Sequence, residues 1–116
     1  MPFQPRIIMI KRIGEICGIS DENRQLYIDL HKNLSPKIKN LIKECNIMDY
    51  SIFVRGNLLF AYYVYDGEDF EADMKKMADN HDNQLWWDTV KPIMSPLPDR
   101  KDGEFWAGME EIFFLE

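Results

Sequence analysis

Cysteine is scarce in this chain: Cys17 and Cys45 are the two present among 116 residues, far apart and without a second Cys or a His at zinc-ligand spacing. A disulfide-stapled scaffold is excluded, a metal site is not expected, and two buried free thiols are the default in a reducing compartment. Basic charge is also short, with 14 Lys and Arg against 20 Asp and Glu and a net charge of −6. Nucleic acid and anionic membrane are therefore not expected as partners, because neither would meet a basic face. The start Met1-Pro2-Phe3-Gln4-Pro5-Arg6 and the apolar stretch broken at Lys11 and Arg12 fit neither a signal peptide nor a membrane span. A cytoplasmic location is the expectation. No glycine-rich phosphate loop, nucleophile elbow, dinucleotide fingerprint or metal-type cluster of His, Cys and carboxylates is found.

What is there is ordinary for a globular protein: 46% hydrophobic and 29% charged residues. One domain over residues 1–116 is expected, with no repeat, low-complexity segment or linker. Ile7 to Ile16 reads as a strand, loosened by Gly14 and closed by Gly18. Ser20 offers an N-cap with Asp21 and Glu22 in the first turn of a helix that fades near Asn33. Ser35-Pro36 starts a second helix through Ile38, Leu41 and Ile42 to Cys45. Met48–Val54 and Leu58–Tyr65 flank Arg55-Gly56-Asn57 as a β-hairpin. Helical spacing returns from Asp69 to Ala78, a polar joint follows at Asp79–Asp82, and a further helix runs through Leu85, Trp86, Val90 and Ile93, ended or kinked by Pro92. Ser95–Gly108 is a loop and Met109–Leu115 a last strand. This doubled βαβ order fits an α+β, ferredoxin-like fold: a four-stranded antiparallel sheet with helices on one face. On the other face Phe60, Tyr62, Val64, Ile112 and Phe114 are too apolar to stay wet, so a homodimer pairing two sheets is expected.

Chemistry has few places to reside. Tyr27 and His31 are four residues apart, so a helix puts phenol and imidazole on one face, a turn apart. Such a pair is more often helix packing than a site. Trp86-Trp87 places two indoles about 100° apart on a helix, so one can pack inward while the other faces a cavity, although such a pair on its own is more often two core or interface tryptophans. Tyr50 follows Asp49 on a hairpin strand, and His81 lies in the polar joint, solvated. An aromatic face with a few hydroxyl and imidazole donors suits a pyranose, whose C–H patches stack on indole and whose hydroxyls need fixed partners. An imidazole near its unperturbed pKa of about 6.5 can take or give a proton at neutral pH.

Taken together, Tyr27-x-x-x-His31, Asp49-Tyr50-Ser51-Ile52, Asn57-Leu58-Leu59-Phe60-Ala61, Trp86-Trp87 with Met94 following, and the ending Glu110-Glu111-Ile112-Phe113-Phe114-Leu115 resemble the L-rhamnose mutarotase family. The likeness spans most of the chain. It implies a dimeric α/β barrel that interconverts the α and β anomers of L-rhamnose without a cofactor. It also implies that His31 is the proton donor and that Tyr27, Tyr50, Trp86 and Trp87 contact the sugar. The chain departs from the family where Asn and a later Trp-Pro-Glu usually follow the histidine: here Lys32-Asn33-Leu34-Ser35-Pro36-Lys37 stands instead. Loss of that indole and carboxylate implies a wider pocket and an altered choice of sugar, with Trp106 as a substitute wall. A non-catalytic sugar-binding dimer is the alternative expectation, and a haem or monooxygenase role rests on fold analogy alone.

Overall fold

A computed structural model describes residues 9–116 of the chain. The elements are β1 (Met9–Ile19), α1 (Asp21–Lys32), α2 (Pro36–Glu44), β2 (Ile47–Arg55), β3 (Leu58–Gly67), α3 (Phe70–Asp79), α4 (His81–Val90), β4 (Met94–Ser95) and β5 (Ala107–Met109). A 3₁₀ turn over Lys91–Ile93 joins α4 to β4. All strand pairs are antiparallel, in the order β2-β3-β1, and both β4 and β5 pair with β1. The fourth position of a ferredoxin-like sheet is thus filled by two short segments along one edge. No described helix is long and apolar enough to cross a membrane.

Local chemistry explains the helix starts. Ser20 Oγ accepts from the Asn23 N–H at 3.3 Å, and Asp21 and Glu22 face the positive end of α1. Ser35 caps α2 with Pro36 in its first turn, Asp69 caps α3, and Asn80 caps α4 through the Asn83 N–H at 3.0 Å. The polar joint expected at Asp79–Asp82 is therefore shorter: Asn80 alone separates two helices, and His81 opens the second. Asn57, in the hairpin turn, donates to the Ile19 carbonyl (3.0 Å) and to Asp21 Oδ1 (2.8 Å), fastening α1 to the sheet.

Alternation along the strands decides which residues meet the helices. Leu59, Ala61, Tyr63 and Tyr65 of β3 are buried, and across from them in β1 lie Cys17, Glu15, Ile13 and Lys11. Two buried clusters form on this side. One joins Cys17, Ile19, Leu59 and Tyr27 to Val90 and Met94; the other joins Tyr63, Tyr65 and Ile47 to Leu41, Cys45 and Met77. Both cysteines are free and buried. The opposite face stays bare, with Ile10, Phe53, Leu58 and Tyr62 exposed.

Three further expectations are corrected. The first strand is not loosened at Gly14 or closed at Gly18: β1 runs to Ile19, because β3 pairs with it from Met9 through Gly18 and the Ile19 N–H is taken by the Asn57 carbonyl at 2.9 Å. The part of that expectation on Ile7 and Ile8 lies outside the described residues. The interval Ser95–Gly108 is not all loop, since it contains Ser95 of β4 and the first residues of β5. Finally, the last paired strand is Ala107–Met109, and residues 110–116 carry no regular structure. An apolar run becomes a strand only where a ladder partner exists. Instead, side chains pin this tail to Arg12 on the bare face: Glu111 Oε2 sits 2.8 Å from Arg12 Nε, and the guanidinium lies 3.4 Å from the Phe114 ring centre.

Candidate active site

A hollow opens between the inward face of the sheet and helices α1, α2 and α4. It has an inner cavity of about 230 Å³ and a wider outer one of about 760 Å³, which share Tyr27, His31, Tyr50, Trp86 and Trp87 as a common wall. All five residues singled out from the sequence are brought together, and Trp106 lines the inner cavity. Lys32, Leu34 and Lys39 line the outer one, so the stretch after the histidine does form its rim.

Helix α1 carries the pair that contains the imidazole. The rings of Tyr27 and His31 lie 4.2 Å apart, and Trp86 of α4 meets His31 edge-on at 5.1 Å. His31 Nδ1 is 2.8 Å from the Tyr27 carbonyl oxygen one turn earlier. A carbonyl only accepts, so Nδ1 carries the proton and Nε2 keeps its lone pair. Burial pushes the His31 pKa below 6.5, outweighing the backbone contact that acts the other way. At neutral pH the imidazole is a neutral base.

Tyr50 reaches the hollow through a fault in the ladder. Met48 pairs with Val64 and Ser51 with Tyr62, so Asp49 and Tyr50 together oppose Tyr63. This β-bulge, with Asp49 at φ 54°, shifts the alternation by one residue. Ile47 faces inward before it; Tyr50, Ile52 and Val54 face inward after it. The Tyr50 ring then stacks on Tyr63 at 5.2 Å with a 16° tilt. Burial is the largest cause raising the pKa values of Tyr27, Tyr50 and Tyr63, and the charge of Glu15 adds to it in each case. The phenols remain neutral, and none hydrogen-bonds to another protein group among the described residues. Their hydroxyls are free to meet a polar ligand.

On the far wall, Lys91 holds its ammonium 4.3 Å above the Trp87 ring and 5.2 Å from that of Phe105. His81 is exposed at the start of α4 and takes no part. Among the described residues, no group of His, Cys, Asp and Glu is placed to hold a metal ion.

Three wall residues, Glu15, Tyr63 and Lys91, were not singled out from the sequence. For Glu15 the signal was present: alternation along β1 puts it on the face of Ile13 and Cys17, a carboxyl between apolar neighbours. Lys91 sits just past α4 and gave none.

Comparisons with known proteins converge. A family model described as L-rhamnose mutarotase matches residues 12–115. An L-rhamnose mutarotase of Formosa agariphila is 33% identical over 92% of this chain and 100% of its own length. One from Listeria monocytogenes is 30% identical over 91% of this chain and 99% of its own. The crystal structure of the Formosa agariphila L-rhamnose mutarotase superposes with a TM-score of 0.71, covering 91% of this chain and 99% of that one at 29% identity.

Proposed function

The chain belongs to the L-rhamnose mutarotase family, isomerases of the aldose epimerase type, and we propose that it interconverts the α and β anomers of L-rhamnose or a related aldopyranose without a cofactor. Opening a pyranose ring needs a base at the anomeric hydroxyl and an acid at the ring oxygen; the aldehyde then recloses from either face. His31, neutral and with Nε2 unbound among the described residues, is suited to take the anomeric proton and return it on closure. Because the imidazole rests unprotonated, it acts first as base and then as the proton donor that the family likeness implies. Trp86 and Trp87 offer faces for the sugar's C–H patches, and the free phenols of Tyr27 and Tyr50 offer donors to its hydroxyls. The observation that carries the proposal is one basic nitrogen and three phenols, without hydrogen bonds among the described residues, on the wall of a single aromatic cavity.

The protein works as a homodimer of one-domain subunits. The support is the bare apolar face, where Ile10, Phe53 and Tyr62 lie exposed. A cytoplasmic setting is in keeping with the two free thiols. Saturation-transfer NMR on the anomeric protons of L-rhamnose, L-fucose, D-galactose and D-glucose tests the activity. Accelerated exchange of at least one is expected. Quenching of tryptophan fluorescence by sugar without exchange would instead indicate the non-catalytic binding dimer. A monomeric sedimentation profile at micromolar protein would count against the dimer.

A further inference from the structure

His31 supplies one of the two proton-transfer groups that ring opening requires, and the inner cavity contains a second. Glu15 lines it together with His31, from the middle of β1. Its ladder neighbours are Ala61 on β3 and Gly108 on β5, which leave the floor around the carboxyl open. Among the described residues, no hydrogen-bond donor and no cation pairs with this carboxyl. An unpaired carboxylate half-buried among aromatic rings is unfavourable enough that a structural role gives no reason for it.

Titratable groups reach Glu15 from several elements, and the charge of Arg100, before β5, acts with that of Glu15 on Cys17. From β1 itself comes the Cys17 thiol, from α1 the phenol of Tyr27 and the imidazole of His31, and from β2 and β3 the phenols of Tyr50 and Tyr63. Lys91 lines the same cavity, but its ammonium rests on the Trp87 and Phe105 rings. Glu104, before β5, accepts from the Lys101 N–H at 2.9 Å and the Gly108 N–H at 3.1 Å, which hold its carboxyl below the usual range and therefore charged. Burial first, and repulsion by Glu104 second, push Glu15 up to about 7.

We propose that Glu15 is the acid partner of His31 in ring opening, a role that rests on the mutarotase function proposed above. The proton of the anomeric hydroxyl passes to His31 Nε2 and the proton of the Glu15 carboxyl to the ring oxygen. The bond from the anomeric carbon to the ring oxygen breaks and the carbonyl double bond forms. Reclosure reverses both transfers, so each group ends as it began. Two groups with displaced pKa values, a base below its ordinary value and an acid above, are the protonation states that this step needs near pH 7.

The test is saturation-transfer NMR from pH 5 to 9 on the parent, Glu15→Gln and Glu104→Gln, with sugar affinity followed by tryptophan fluorescence. The parent rate should fall as pH rises through about 7, where Glu15 loses its proton. Glu15→Gln should keep its sugar affinity within about threefold, exchange about 100-fold more slowly and lose that alkaline limb. Glu104→Gln, which removes the repelling charge and keeps one of the two oxygens that accept from Lys101 and Gly108, should move the limb to lower pH. A Glu15→Gln protein with the parental rate and profile, or an alkaline limb unmoved in Glu104→Gln, overturns the assignment and leaves the mutarotase function standing. A parent that exchanges none of the four sugars overturns both.

Discussion

Replacing Asp49 by Val tests whether the bulge in β2 is what holds Tyr50 in the hollow. Asp49 sits at φ 54°, in the left-handed region. Asp tolerates that conformation, whereas a β-branched residue there is strained by about 1–2 kcal/mol. The strand could escape the strain by slipping one residue, at the expense of turning Ile52 and Val54 off the core, where both are half-buried. Half of the burial value of two such side chains is about 2 kcal/mol, and the β2–β3 ladder beyond Ser51 would be broken as well. Staying bulged and strained is therefore the cheaper state. For a chain of 116 residues, a loss of about 1–2 kcal/mol lowers the melting temperature by about 4–8 °C. Asp49→Gly adopts the same φ without strain and loses roughly that advantage in the unfolded chain, so it should melt within about 4 °C of the parent. The assay is thermal unfolding by circular dichroism, with a sugar titration followed by the fluorescence of Trp86, Trp87 and Trp106, all of which line the inner cavity. Sugar affinity should be kept in both variants. A Val variant that melts with the parent, or one that keeps its stability but loses sugar binding, would refute this weighing of strain against slip.

Other perturbations probe what positions the site. Tyr65 is fully buried; its hydroxyl donates to Asp73 Oδ2 at 2.5 Å and accepts from the Asp69 N–H at 3.1 Å. Tyr65→Phe should cost about 1–2 kcal/mol by chemical denaturation at pH 7, since Asp73 still has the Asn46 amide and some solvent. That difference has a pH signature. Tyr65 first and Asn46 second hold the Asp73 carboxyl below its ordinary 3.8. The stabilisation is complete above that value and is lost as pH falls through the lowered one, so parent and variant should converge in strong acid. Asn57→Ala removes both amide bonds that tie the hairpin turn to the start of α1. It should cost about 1 kcal/mol and slow anomeric exchange by loosening the helix that carries His31, as a paired melting and exchange measurement would show.

Most of the layout was legible because its signals are local. Ser20 and Ser35 each announce a helix by offering a side-chain acceptor, helical spacing announces the one after Asp69, and Gly56-Asn57 announces the hairpin. The Tyr27–His31 and Trp86–Trp87 pairs follow from helical spacing alone. What was not legible depends on contacts between distant segments. The bulge at Asp49 breaks the alternation that would otherwise assign faces in β2, and only pairing with β3 reveals it. For Glu15 alternation gives the face of β1 it lies on, but only pairing with Ala61 and Gly108 shows the small residues beside it. The tail beyond Met109 has strand composition but, among the described residues, no ladder partner, and composition cannot supply one.

The central claim, that the imidazole of residue 31 moves the proton that opens a sugar ring, is tested most directly by saturation-transfer NMR with L-rhamnose on the parent and on His31→Ala. The account predicts exchange well above the spontaneous rate in the parent and a loss of about 10²–10⁴-fold in the variant, with sugar still quenching its tryptophan fluorescence. A His31→Ala protein that exchanges the anomers as fast as the parent would contradict it.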